Sequence, residues 1–209
     1  MNMHFFEFDT LEQELEKLPV FHRLAFAAAC CERMLPNYNA FCRMYDFGDP
    51  SVLRNALDEV WQILQGKPID ELRIERLINN CGSDNIAPDS LDFGGDSYKS
   101  LQLIDAICTT LRACSEAATR EIVRIVEYAR NTIEFYVACE DEFFNVSREQ
   151  DGREKFIAAI ACHPFAVREM AKETEDLQRL KETETLDKDF LEWLRTSSHN
   201  NGKSLIDLS

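Results

Sequence analysis

The chain has 209 residues and carries 23 Lys and Arg against 38 Asp and Glu, a formal net charge of −15. With 45% hydrophobic residues and only 7 glycines and 6 prolines, it is neither a disordered acidic tail nor a collagen-like or low-complexity chain, and a large all-β protein is disfavoured. The acidic balance also argues against a nucleic-acid partner, because phosphate contacts require cations.

Helical periodicity begins near the N-terminus. An acidic helix is predicted from about Thr10 to Leu18, where Pro19 ends it. The next helix, Val20–Leu35, has apolar residues on all sides, a pattern typical of a central, buried helix. Pro36 is predicted to stop that helix, because proline lacks the backbone N–H of a helix interior. Asn37 would then cap a short helix of its own.

A turn follows at Phe47–Pro50. Gly48 suits a positive φ, Asp49 suits the N-cap position, and Pro50 suits the first position of a new helix. An apolar face that includes Trp61 continues that helix, and Asp70–Cys81 predicts another. Gly82–Asp96 is an irregular, acidic loop of unusual length.

The second half of the chain is predicted to be helical as well, with one long mid-chain helix. The predicted segments are Ser97–Ser115, Glu116–Phe144, Ser147–Cys162, Pro164–Thr183 and Leu186–Arg195. A polar tail, about residues 197–209, is expected to fray. Without repeats or composition shifts, the chain predicts a single all-α domain over residues 1–209, a bundle of about eight to ten helices.

The eight cysteines show no C-x-x-C spacing, so zinc-ribbon and thioredoxin-like sites lack their signature. Four disulfides would match the even count, but most of these residues lie in apolar helical stretches, where free cysteine acts as a small hydrophobe. The longest apolar run, Leu24–Cys31, is far shorter than the ~20 residues that span a bilayer. No secretory signal is evident at the start. We therefore expect a cytoplasmic protein that does not enter a membrane.

Recognised catalytic and ligand motifs are missing from the sequence. It has no G-x-S-x-G, H-E-x-x-H or Walker-type segment. The aspartates of the Gly82–Asp96 loop do not alternate as calcium ligands do, and none of the four histidines follows a glutamate by three positions. We therefore predict neither metal nor cofactor. His22, followed by Arg23, is compatible with a phosphorelay histidine, although an ordinary, partly buried histidine explains it as well.

The adjacent charges Glu32 and Arg33 are anomalous, because they lie near the end of the most apolar helix. Buried charges must be paired or hydrogen-bonded. Candidate partners are Asp105, on the edge of a later apolar helix, and Asp58 or Glu59. The pair is therefore interpreted either as an ion network that fixes helix register or as part of a polar pocket. The residues of that candidate pocket are Glu32, Arg33, Asn37, Tyr38, Asp49 and Asp105.

One block of sequence resembles a known family. The block is Cys31-Glu32-Arg33-Met34-Leu35-Pro36-Asn37-Tyr38, followed by Phe41-Cys42 and Phe47-Gly48-Asp49. Weaker matches are Asp92-Phe93, Tyr98, Ile104-Asp105-Ala106, and Pro164 with Ala166-Val167. These residues resemble the YjaG family of bacterial proteins, domain of unknown function 416. The resemblance implies an all-α cytoplasmic protein without an assigned activity, and gene-neighbour associations of that family imply a link to histidine-kinase signalling.

Three hypotheses of function follow. The first is a non-enzymatic interaction or regulatory module that binds a protein partner, in signalling or as a homodimer. The second is a small-ligand-binding or enzymatic bundle with a polar pocket around Glu32, Arg33 and Asp105. The third is a phosphorelay module that uses His22.

Overall fold

The structure is a computed structural model that describes residues 4–89, 91–199 and 202–207. Within those ranges it is built from ten α-helices and no strand. This confirms the predicted all-α bundle. The helices are α1 (Asp9–Glu16), α2 (Val20–Tyr45), α3 (Pro50–Leu64), α4 (Glu71–Cys81), α5 (Gly95–Ala113), α6 (Thr119–Cys139), α7 (Arg148–Asp151), α8 (Arg153–Cys162), α9 (Pro164–Glu182) and α10 (Lys188–Ser198).

Helix α2 is the centre of the bundle, as its all-round apolar pattern predicts. It contacts α3, α5, α6, α9 and α10. Its first half is lined on every side by small buried residues, among them Ala25, Ala28 and Cys31. Small side chains let neighbouring helices approach closely and leave few voids. The packing of α2 therefore fixes where five other helices lie.

The prediction that Pro36 ends this helix is wrong, because α2 runs through Pro36 to Tyr45. A proline in a helix interior removes one backbone hydrogen bond and costs about 3 kcal/mol. Burial on both sides offsets that cost. Leu35 and Tyr38 are both buried, and the Tyr38 hydroxyl donates to the Ile86 carbonyl oxygen at 2.7 Å. Asn37 is consequently a residue of the helix interior and caps nothing.

The turn after α2 has the predicted form. Asp46 and Gly48 have φ values of 49° and 84°, which reverse the chain. The Asp49 carboxylate accepts from the Ser51 backbone N–H at 2.9 Å, and Pro50 is the first residue of α3. A Cβ atom at Gly48 would collide with the Tyr38 hydroxyl. Glycine is therefore required there by both the backbone angle and the close approach.

The long mid-chain helix is α6, which packs against α5. It spans 21 residues and is shorter at both ends than the predicted Glu116–Phe144. Its N-cap, Ala118, is extended, and its C-cap is Glu140. At 26 residues α2 is longer, because the helix continues past Pro36.

The C-terminal region differs from the frayed tail expected from about residue 197. Helix α10 continues to Ser198, which is fully buried. Residues 202–207 lie against α9, where Arg168 donates to the backbone carbonyl oxygens of Ser204 at 3.0 Å and Leu205 at 2.5 Å. The Leu205 side chain is only 3% exposed. The rest of that expectation falls on positions 200–201 and 208–209, which lie outside the described residues.

The cysteines behave as the sequence predicts. All eight are free thiols, six of them buried, while Cys139 and Cys162 are exposed. Burial raises the pKa of the Cys31 thiol to about 12, so that thiol is protonated and unreactive at neutral pH. In the part of the chain that the structure covers, no helix combines the length and apolarity needed to cross a membrane.

Candidate functional site

Arg33 lies in the interior, 3% exposed, and is held by carboxylates that the sequence analysis did not identify. Its Nε donates to both Glu169 oxygens at 2.9 Å, and Nη1 donates to Asp176 Oδ2 at 2.9 Å. Nη2 donates to the Cys30 sulfur at 3.2 Å. Burial alone would lower the pKa of Arg33, but Glu169 and the other nearby acceptors outweigh it and raise that pKa above its usual range. The guanidinium is therefore fixed as a cation.

These contacts belong to a larger set of paired charges between α9 and its neighbours. The carboxylates lie four and three residues apart on one face of α9, and each is matched by a cation from α2, α6 or α9 itself. The ion pairs are Arg33–Glu169, Arg33–Asp176, Lys172–Asp176 and Arg130–Glu173. The set therefore carries three positive and three negative charges, which is what a buried network needs to remain folded.

Two of the carboxylates have perturbed pKa values. Burial raises the pKa of Asp176, against the lowering effect of Arg33 and Lys172. Burial likewise raises the pKa of Glu173, although Arg130 opposes it. Desolvation therefore has the greater effect at both positions, and each carboxylate depends on its cation to remain ionised.

Glu32, 2% exposed, points to a different side of α2, about 100° from Arg33. Arg54 donates to its two oxygens at 2.7 and 2.8 Å, and the Trp61 indole N–H donates at 2.7 Å. Arg195 and His199 of the α10 region add contacts at 3.2 Å. One carboxylate therefore connects α2 to α3 and α10.

The proposed partners of Glu32 and Arg33 are found in different places. Asp58 is part of the same network, since it forms ion pairs with both Arg54 and Arg195. Glu59 instead pairs with Lys67 and Arg73. Asp105 is exposed and forms no ion pair with either residue in the described part of the chain.

Little space adjoins this network. A pocket that Arg33 lines has a volume of about 90 Å³, smaller than the roughly 300–1,000 Å³ of ordinary ligand sites. The donors and acceptors of Glu32 and Arg33 are already occupied. We therefore interpret the pair as a network that fixes the register of α2 against α3, α9 and α10.

Asn37, one turn after Arg33 on α2, lines a separate cavity of about 330 Å³. Its amide nitrogen and oxygen are both buried, and neither has a hydrogen-bond partner in the part of the chain that the structure describes. Among the residues described, no other side chain has two such atoms. The residues lining the cavity come from α2 (Asn37, Ala40, Phe41, Met44), α5 (Asp96, Lys99, Ser100), the end of α6 (Tyr136, Glu140) and the C-terminal segment (Ser204, Ile206). We call this space the Asn37 cavity.

A short chain of ion pairs and hydrogen bonds forms one wall of the Asn37 cavity. The Lys99 ammonium, on a side chain 8% exposed, contacts Asp96 Oδ1 at 2.7 Å and Glu140 Oε2 at 2.5 Å, and it lies 5.9 Å from the centre of the Tyr136 ring. Tyr45 donates to the second oxygen of Asp96 at 2.6 Å. Partial burial would raise the pKa of Asp96, but Lys99 and Tyr45 outweigh it and hold that pKa below its ordinary value.

The remaining candidates lie outside this cavity. The Tyr38 hydroxyl bonds to a backbone carbonyl, and burial raises its pKa. Asp49 caps α3. His22 is 5% exposed, and its Nε2 lies 2.8 Å from the Thr183 carbonyl oxygen. A phosphorelay histidine must be accessible to its phosphoryl donor, so the hypothesis that His22 fills this role is wrong.

Sequence reasoning missed several residues that the structure brings together. Glu169, Glu173 and Asp176 recur at helical spacing on α9, a signal for one shared face. Lys99 and Tyr136 gave no signal, because they are ordinary residues of amphipathic helices. No group of three or more His, Cys, Asp or Glu suited to a metal ion occurs in the described ranges.

The fold and these sites define an all-α protein built around one buried helix, with ion pairs in its interior and a cavity lined by both polar and apolar side chains. The chain belongs to the family described as "Protein of unknown function (DUF416)", which matches residues 10–209. The family resemblance inferred from the sequence is thereby confirmed.

Similar proteins cover nearly the whole chain. The YjaG protein of Escherichia coli (strain K12) is 28% identical over 197 residues, 92% of each chain. That of Salmonella typhimurium (strain LT2) is 25% identical over 195 residues, covering 93% of this chain and 94% of the relative. The crystal structure of a DUF416 family protein from Shewanella baltica OS155 superposes with a TM-score of 0.81 at 26% identity, covering 95% of this chain and 97% of that one.

Proposed function

We propose that this protein is a non-enzymatic regulatory module that binds a small molecule in the Asn37 cavity. The unpartnered Asn37 amide is the observation that carries this proposal. A buried polar group without a partner destabilises a fold by about 1–3 kcal/mol. Such local conflicts between sequence and stability are expected at functional sites. The cavity volume of about 330 Å³ falls within the range of small-molecule sites.

The pairing of the buried charges and the chemistry of the cavity wall support binding over catalysis. The buried carboxylates of α9 are neutralised by arginine and lysine. In the cavity wall, Lys99 contacts Asp96 and Glu140, and an ammonium so committed is a poor base or nucleophile. Within the described residues, the cavity therefore offers hydrogen bonds and apolar contacts, and no activated nucleophile.

The expected protein partner fits this proposal as the output of ligand binding. Met44 lines the Asn37 cavity and is 69% exposed, so a ligand there changes the outer surface as well as the interior. A protein partner whose binding depends on this surface would make the module regulatory, in signalling or another pathway. Homodimer formation is the simplest form of this idea, and light scattering with and without ligand tests it.

The proposal is tested with a fragment library of neutral, cationic and anionic compounds, screened by thermal shift and ligand-observed NMR. A fragment at 100 times its Kd stabilises the folded state by about 2.7 kcal/mol, which raises the Tm by roughly 5–10 °C. Asn37→Leu is expected to abolish this shift. Asn39→Leu is the matched control, since Asn39 lies on the same helix and does not line the cavity.

Asn37→Leu should also raise the Tm of the unliganded protein, because the substitution removes an unsatisfied buried amide. A stabilising change that abolishes binding is the signature of a binding residue rather than a structural one. Fragments that bind wild type and Asn37→Leu equally well, or no binding anywhere in the library, would refute the proposal.

A further inference from the structure

We infer that the ligand of the Asn37 cavity is a neutral molecule that presents an amide edge, an N–H group beside a carbonyl, on a flat apolar body. This inference rests on the proposed function and names its ligand class. It combines three observations: an amide with both halves unpaired, a wall whose charges are already paired, and an apolar lining.

The amide edge follows from Asn37 itself. A carboxamide offers an acceptor oxygen and a donor nitrogen side by side. In Asn37 both atoms are buried, and neither has a partner within the described ranges. A ligand with only an acceptor or only a donor leaves the other half unsatisfied, which carries a desolvation penalty. Asparagine satisfies both halves when it pairs with an edge that carries an adjacent donor and acceptor, as it does with adenine. A carboxamide, a lactam and a nucleobase all present such an edge.

The neutral charge follows from the wall of the cavity. Lys99 is matched by Asp96 and Glu140, so the three groups sum to −1 and an anionic ligand is repelled. A cationic ligand gains little, because both carboxylates already contact Lys99. The charge of the ligand would also lose its hydration next to the Asn37 amide. A neutral ligand avoids both penalties.

The flat apolar body follows from the remaining lining. Phe41, Met44, Tyr136 and Ile206 surround the space, and aromatic side chains favour planar groups that stack on them or meet them edge to face. A volume of about 330 Å³ corresponds to roughly ten water molecules. The site therefore suits a single ring with one polar substituent, and not a nucleotide or a peptide.

Four probes of one shape test the ligand class: benzamide, methyl benzoate, benzoate and benzamidine. Each is titrated into the 209-residue chain while chemical shifts of cavity residues are followed by NMR. Benzamide should bind about 10- to 100-fold more tightly than the other three, the ratio expected when a buried donor or acceptor is left unpaired. Asn37→Leu should remove this preference, and Asn39→Leu should retain it.

Asn37→Asp provides a second arm that does not depend on loss of binding. Aspartate replaces the donor with a second acceptor and adds a negative charge. The preference should therefore move from benzamide to benzamidine, by tenfold or more. If Asn37→Asp still prefers benzamide to benzamidine, Asn37 does not hydrogen-bond to the ligand and the inference fails.

The two proposals fail in different ways. Tightest binding of benzoate, benzamidine or methyl benzoate by wild type in the Asn37 cavity overturns the ligand class and leaves the proposed function intact. Absence of cavity shifts with all four probes also overturns the ligand class, while the broad fragment screen decides the proposed function.

Discussion

Arg33→Met tests the central ion network. The substitution keeps the apolar stem but leaves Glu169 without its bidentate partner and Asp176 with Lys172 alone. Both carboxylates are at most 2% exposed, so water does not replace the lost cation. Removing one partner of a buried pair costs about 3–5 kcal/mol. For a chain of this length, the Tm should therefore fall by roughly 6–20 °C.

The pH dependence provides a second measure of the same effect. The pKa of Asp176 is already raised by burial, and Arg33 lowers it, so the substitution raises that pKa further. An acid whose pKa is higher in the folded than in the unfolded state loses stability as pH rises from about 3.9 through the folded pKa. The loss of unfolding free energy in Arg33→Met, relative to wild type, should therefore be greatest at neutral pH and become smaller in acid.

Calorimetry from pH 4 to 8 measures both effects. Arg124→Met is the control, since Arg124 forms an exposed pair with Glu121, and such pairs contribute about 0–1 kcal/mol. An unchanged Tm for Arg33→Met, or a deficit equal at all pH values, would contradict the assigned role of the network.

Glu32→Gln should lower the free energy of unfolding by about 2–4 kcal/mol, because the arginines that pair with Glu32 lose a buried carboxylate. The substitution should also shift the NMR signal of the Trp61 indole N–H, and an unperturbed indole signal would argue against that contact. Gly48→Ala should destabilise more than Gly66→Ala in urea unfolding, since both residues have positive φ but only at Gly48 would a Cβ meet Tyr38; equal losses would refute the steric argument. Titration with a thiol reagent should modify the two exposed cysteines in the native protein and the other six only after unfolding, and a third rapid reaction would show that the core opens.

Local signals were sufficient for most of the fold. The predicted cap at Asp49 is a short-range feature, because its carboxylate accepts the backbone N–H of Ser51, two residues ahead. Pro36 failed as a helix stop because its effect depends on tertiary burial of α2, which offsets a local penalty. The division between α7 and α8 at Gly152, which has a φ of 87°, was also missed, since the periodicity continues across it.

The site was less predictable because its contacts are long-range. The charge pattern indicates that Glu32 and Arg33 must be paired, but the partners of Arg33 lie 136 and 143 residues away. No local spacing identifies such partners. Asn37 was included because it is close in sequence, whereas its importance comes from an unsatisfied amide that only the packing of four segments creates.

The ion network and the Asn37 cavity are connected through α2 and α9. Arg33 and Asn37 are four residues apart, so they lie on one face of α2. Glu169, which binds Arg33, follows Arg168, which holds the backbone of residues 202–207. That segment forms a wall of the cavity. Buried ion pairs add little net stability compared with apolar packing, but they fix helix register. We therefore expect the network to set the position of the cavity wall without contacting the ligand.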